Sequence, residues 1–209
     1  MGKLFGWRGF LRHGLPVVVV LTTGCVTFDK PYVSKDTYML AAVRPGPPAE
    51  SVRSHSILKV RAVPLMSLAQ HRAFVYRRTD ERWEMDYYNQ FILPPGPMLC
   101  DIVRQWMSDS GLLGWVTDAS SLLVPSYVVE VGIADLYADY RPGVPARAVV
   151  GLTFALLDNA TPPRVLFQGR YREEVPLDEL SPVGLVRAWN AGVGACLVRF
   201  EEEVCKSVY

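Results

Sequence analysis

Histidine is scarce in this chain, with three in 209 residues. His13 lies in an N-terminal leader, and His55 and His71 are too few to build a histidine-based metal site. Cysteine is almost as rare: Cys25 stands apart from Cys100, Cys196 and Cys205, and none belongs to a CxxC or Cys/His metal pattern. GxSxG, HExxH, P-loop and GxGxxG patterns are all missing. Asp80, Glu81, Glu84 and Asp86 are the nearest approach to a carboxylate pair for acid–base work. Glu84 and Asp86, however, alternate with apolar residues, as the wet face of a strand does. These gaps predict a protein that is not an enzyme and holds no metal and no cofactor. An excess of one charge is also missing: 22 basic residues face 21 acidic ones. Nucleic acid is therefore excluded as a partner, because its recognition draws on clustered positive charge. No apolar run reaches the ~20 residues needed to cross a bilayer, and there is no internal repeat.

What is present is an ordinary globular composition, half hydrophobic and about a fifth charged, in a chain long enough to bury one core. The first residues read as an address. Lys3, Arg8 and Arg12 form a positive region, Leu15 to Leu21 an apolar one, and Thr22-Thr23-Gly24 lead to Cys25. That is the layout of an export signal over residues 1–24, with a short tether over 25–36 and one domain over 37–209. Removing the leader takes away three cations and no acid, leaving 19 basic against 21 acidic residues. A cysteine directly after the small residues looks like a bacterial lipobox, in which Cys25 becomes the acylated first residue. Thr22 stands where such boxes carry leucine, with Leu21 one place further back, so an ordinary cleaved signal with an incidental cysteine is the alternative. Acyl chains on Cys25 would contribute roughly 0.8 kcal/mol per buried CH2 to membrane attachment.

Periodicity supplies the fold. Thr37–Val43, His55–Val63, Ala73–Arg78 and Trp83–Phe91 read as strands, the last two joined by the charged break Thr79-Asp80-Glu81-Arg82. In the fourth, alternation places Trp83, Met85, Tyr87 and Phe91 on one face. Pro97 to Leu113 carries Leu99, Ile102, Val103, Trp106 and Met107 at helical spacing, and Gly114–Thr117 is a short strand. Three long extended runs follow, Ser126–Tyr140, Ala146–Leu157 and Arg164–Val175, separated by Arg141-Pro142-Gly143 and by the turn residues 158–163. They predict an antiparallel meander. Ser181-Pro182 then caps a second helix with Val186, Trp189, Val193, Leu197, Phe200 and Val204 on its apolar side. The predicted fold is α+β: six or seven strands in a mixed, largely antiparallel sheet with both amphipathic helices packed on one face, an α/β sandwich.

The run LKVRAVP…AFVYRR…WEMDYYNQFILPPGPML, Leu58 to Leu99, resembles the ABC-type transport auxiliary lipoprotein family, of the paraquat-inducible operon type. The resemblance covers most of the chain after the leader and favours acylation of Cys25. It implies a lipid-anchored accessory subunit of an ABC-type intermembrane lipid transport system. In such a system the chain is a docking platform for an MCE-domain subunit at the periplasmic face of the outer membrane, and ATP hydrolysis belongs to another subunit. Val26 after the cysteine points to the same membrane in the enterobacterial sorting pattern. The resemblance further implies assembly, in some relatives as homo-oligomeric rings. An envelope-maintenance or periplasmic lipid-binding lipoprotein without a transporter partner is the alternative.

Two groups of residues are candidates for roles beyond the core. Tyr76, Arg77, Arg78, Arg82, Trp83, Tyr87 and Tyr88 cluster in sequence, and aromatic and arginine side chains are enriched at interfaces. On periodicity alone, half of them belong to the core and half to a solvated strand face; the resemblance raises Tyr76, Arg77, Arg78, Arg82 and Tyr88 to a partner interface. Cys100 and Cys196 lie one in each helix, where an exported protein can bridge them or bury both as small apolar residues.

Overall fold

Among the residues the structure describes, two-residue alternation becomes eight strands, and the two stripes at spacings of three and four become two helices. The computed structural model describes residues 34–48, 53–63 and 70–208, all within one compact unit, Val33–Tyr209. The leader, Cys25 and most of the tether lie outside the described residues.

The sheet is organised around β6 (Tyr127–Asp139), thirteen residues long. Along one edge it pairs antiparallel with β7 (Arg147–Asp158), from Tyr127 opposite Asp158 to Asp139 opposite Arg147. Next, β7 pairs antiparallel with β8 (Arg164–Pro176), completing the expected meander. The other edge of β6 is shared. Its first half takes β2 (Arg53–Ala62) in parallel, and its end takes β3 (Ala73–Arg77), with Arg77 beside Asp139. Outside β2 lies β5 (Leu113–Thr117), again parallel. Outside β3 lies β4 (Trp83–Phe91), antiparallel, and then β1 (Asp36–Tyr38) in parallel. The sheet is thus mixed: its longest pairings, β6–β7 and β7–β8, are antiparallel, while four shorter ones are parallel. Among the described residues it has one more strand than the upper expectation.

Both helices pack on the same face. α1 (Pro95–Ser110) starts two residues before Pro97 and ends at Gly111, whose φ of 68° is the left-handed conformation a glycine adopts freely. It buries Met98, Leu99, Ile102, Val103, Trp106 and Met107 against β2, β5 and β6, each contributing roughly 1.5–3 kcal/mol. α2 (Pro182–Val208) lies over β7 and β8; the Gly184 N–H donates to Ser181 Oγ at 3.0 Å, the expected cap. Gly192 brings α2 close to the sheet, since a Cβ there would stand 2.9 Å from Val150 Cγ2. The core beneath the helices is aromatic at its centre. Phe74 packs edge-on to Trp189 at 4.9 Å, and Phe154 stacks on Phe200 at 4.1 Å. Cys196 is buried in this core and Cys100 half-buried beside it; both are free thiols, not a bridge. Burial pushes the Cys196 thiol up to about 12 and the Cys100 thiol up to about 11.

Two expectations are corrected. The stretch 37–43 is not a strand throughout: after Tyr38 the chain leaves the sheet and runs along α2. There the Ala41 N–H donates to Asn190 Oδ1 at 2.9 Å and Arg44 forms a two-pronged pair with Glu201 at 2.8 and 2.9 Å. The single apolar face of β4 is also divided. Pairing with β3 jumps from Ala73–Gln90 to Val75–Met85, so residues 86–89 bulge. Asp86 builds the bulge, its carboxylate accepting from the N–H groups of Tyr88 and Asn89 at 2.7 and 3.0 Å and from Tyr76 OH at 2.5 Å. Phe91, 1% exposed, therefore joins the core, whereas Trp83 and Met85, 43% and 46% exposed, lie on the opposite face.

Candidate interaction face

The face of the sheet away from the helices carries its own small apolar centre. Val75 of β3, Tyr137 of β6 and Val149 of β7 are buried together there. Trp83 meets Tyr137 edge-on at 4.9 Å, and the guanidinium of Arg77 lies 5.4 Å over the indole. Trp83 and Met85 stand out from this centre into solvent.

Around them runs a ladder of ion pairs. The β3–β4 turn closes with Arg78 N–H donating to Arg82 O at 2.9 Å, and Thr79 Oγ1 accepts from the N–H groups of Glu81 and Arg82. This presents Asp80 to Arg77 at 2.8 Å and to Arg141 at 2.7 Å. Arg141 continues to Asp139 at 2.8 Å, Asp139 to Arg147 at 3.0 Å, and Arg147 to Glu174 at 2.7 Å. Glu174 also pairs with Arg172, which donates to Tyr137 OH at 3.2 Å and approaches Asp135, itself paired with Arg170 at 2.6 Å. Cations and anions alternate across β3, β6, β7 and β8, so the rim is nearly neutral and each charge is tied on at least one side. Strand register creates it: Asp139 faces Arg147, Asp135 faces Gly151, and Gly151 faces Arg172.

Asp139 is the keystone, with its side chain 1% exposed. Hydrogen bonds from Arg141, acting against its burial and joined by those from Arg147, hold its carboxyl well below the usual carboxylate range. A buried carboxylate with two arginine partners fixes the relative placement of β6, β7 and the loop between them.

The hairpin residues singled out from sequence do not form one patch. Arg77 and Trp83 belong to the open face. Tyr76 is buried under the helices, and Arg78 packs at 5.1 and 5.2 Å over the rings of Tyr76 and Tyr140 while pairing with Glu84 at 2.9 Å. Arg82 is exposed on the turn, and Tyr87 and Tyr88 protrude from the bulge, packed edge-on at 5.2 Å. Strand alternation thus turns Tyr76 and Arg78 to the other side of the sheet, away from Arg77 and Trp83. Met85, Tyr137, Asp139, Arg141, Arg147, Arg172 and Glu174 lie with Arg77 and Trp83 on the open face. The sequence signal for them is a pair of aspartates, 135 and 139, in a largely apolar run whose other charge is Glu130.

On the helix side, a groove of about 480 Å3 lies between the helices, lined by Trp106, Leu112, Val198 and Cys205 and by the charged Arg44, Glu201, Glu202 and Lys206. Trp106 Nε1 donates to Glu201 at 2.7 Å across its floor. Among the described residues no three His, Cys, Asp or Glu side chains are placed to hold a metal ion, and no helix is long and apolar enough to cross a membrane.

No protein-family model matches the chain, and no curated protein matches it. Solved structures do. Protein XCC0632 from Xanthomonas campestris, of the family model DUF330, aligns with a TM-score of 0.68 and 15% identity, over 82% of this chain and 96% of its own. The crystal structure of an uncharacterized protein aligns with a TM-score of 0.60 and 15% identity, over 82% of this chain and 99% of its own. A PelC dodecamer from Paraburkholderia phytofirmans aligns at 0.42 and 15% identity over 73% of this chain and 92% of its own, too distant to bear on how this chain assembles. The chain is thus similar in fold to the Xanthomonas campestris DUF330 protein, and at this identity the likeness is one of fold.

Proposed function

We propose that this chain is a non-catalytic docking subunit of the bacterial cell envelope, held at a membrane through acylated Cys25. Its partner is the MCE-domain subunit of an ABC-type intermembrane lipid transport system. The observation that carries the docking role is the open face of the sheet: an exposed Trp83–Met85 centre, seated on buried Val75, Tyr137 and Val149 and rimmed by paired charges. An apolar centre with a polar rim is the anatomy of a protein–protein interface. Because the ladder holds the rim side chains, little side-chain freedom remains to be lost on binding. The export leader, the cysteine after it and the resemblance of residues 58–99 support the envelope setting and the class of partner. ATP hydrolysis then belongs to a separate subunit, and a ring of identical copies is the assembly the resemblance implies.

The test is affinity purification of the full-length protein from detergent-solubilised membranes after in vivo crosslinking, with partners identified by mass spectrometry. Recovery of an MCE-domain protein, with its permease or ATPase behind it, is the expected result. Recovery of the protein alone with bound phospholipid would replace the docking role with the carrier role.

A further inference from the structure

A second exposed apolar region lies on the same open face but away from Trp83. The connection between β5 and β6, residues 118–126, passes across β2, where Lys59 Nζ donates to Ser121 O at 2.9 Å. At its tip Leu122, Leu123 and Val124 are 99%, 51% and 79% exposed. This is a braced tip. Asp118 accepts from Ser120 N–H at 2.8 Å and from Ser120 Oγ at 2.6 Å, and Ser121 Oγ accepts from Leu123 N–H at 3.3 Å. On the other side Asn159 Nδ2 donates to Pro125 O at 2.9 Å and Ser126 N–H to Ile57 O at 2.8 Å. The bonds on both flanks hold three consecutive apolar side chains out into solvent. Beneath them register places Trp115 beside Ile57, Val128 beside Leu157 and Leu157 beside Val165, with Lys59 between Val128 and Thr117. Trp115 and Val165 are 66% and 60% exposed at the two margins.

We infer that this braced Leu122–Leu123–Val124 tip, with Trp115 at its side, inserts into the surface of a lipid bilayer. Three features favour lipid over protein as the occupant. A convex tip with a fully exposed leucine needs a matching cavity in a protein partner, whereas acyl chains close around it without one. Of the cations flanking the tip, Arg164 is paired with Asp158 at 2.7 Å, whereas Lys59 donates only to a neutral carbonyl and keeps its positive charge, which suits a headgroup phosphate. Trp115 offers a ring with one polar edge at the margin, the side chain that favours the boundary between acyl chains and water. Preformed bracing means that little chain entropy is lost on insertion. The inference is independent of the partner proposed for Trp83 and Met85.

The experiment places a photo-crosslinking phenylalanine analogue at Leu123, at Trp115 and, as a control, at exposed Leu180 beside α2 in the full-length protein, and irradiates intact cells. All three positions are exposed, so the fold tolerates the replacement. The expected result is a mass increase of one phospholipid at 123 and 115. Its yield should be roughly tenfold above that at 180, the factor by which one buried apolar side chain favours lipid over water. Adducts to protein at 123 and 115, or phospholipid yields no greater than at 180, would overturn the inference. A failed partner purification would leave this outcome untouched.

Discussion

Replacing Asp139 with asparagine keeps the shape of the side chain and removes the charge that joins Arg141 to Arg147. The carboxylate is fully enclosed, while its two arginines are about a quarter exposed. Breaking a buried pair by removing one partner costs ~3–5 kcal/mol. Here the arginines keep second partners in Asp80 and Glu174, and water reaches them, so the lower end, about 3 kcal/mol, is the expected loss. Against a total stability of ~5–15 kcal/mol this is a large fraction. The assay is urea unfolding at neutral pH, then the same titration toward acid. The folded carboxyl is held below its unfolded value of 3.8, so its stabilisation is complete above that value and is lost as pH falls below it. Asp139→Asn should therefore lie about 3 kcal/mol below the wild type at pH 7, and the gap should narrow below about pH 4. A neutral-pH difference under ~0.5 kcal/mol, or a gap that stays constant into acid, would refute the keystone role.

Gly192→Ala should destabilise by ~1–3 kcal/mol in the same unfolding assay, because the new methyl meets Val150 and pushes α2 off the sheet. Glu201→Gln weakens the pair with Arg44 while keeping an acceptor for Trp106, and should lower stability by about 2 kcal/mol. Its restoration by a charge-reversed Arg44→Glu, Glu201→Arg double variant would be incomplete, since arginine cannot accept from the indole. Cys196, buried and with its thiol raised to about 12, should resist iodoacetamide at pH 8 in the folded protein and react fully in denaturant.

The strands and helices were legible because their side chains repeat at two and at three to four residues, and one buried face enforces the register. Val150, Leu152, Phe154 and Leu156, at alternate positions of β7, are core residues, and Ser181 caps α2 as its place before Pro182 implied. What was illegible involves partners distant in sequence or a local break in period. Asp86 shifts the phase of β4 by bonding its own backbone, so Trp83 and Phe91 separate to opposite faces although both sit on odd positions of one run. Residues 39–44 have a strand's composition but find their partners on α2, nearly 150 residues later. The ladder arises because Asp135, Asp139, Arg147, Arg172 and Glu174 lie on three strands whose pairing brings them together. In sequence two aspartates in a largely apolar run mark it, and nothing ties them to the arginines of the next two strands.

We propose that the open face around Trp83 and Met85 docks a partner subunit. The direct measurement is quantitative copurification from membranes with wild-type protein and with Trp83→Ala/Met85→Ser, alongside melting curves of both. Trp83 is 43% exposed and packs on Tyr137 and Arg77, so the variant should melt lower than the wild type but still unfold in one cooperative transition. Loss of the MCE-domain subunit from the variant while it remains folded at the purification temperature is the predicted result. Equal recovery of that subunit by the two proteins would rule out docking through this face.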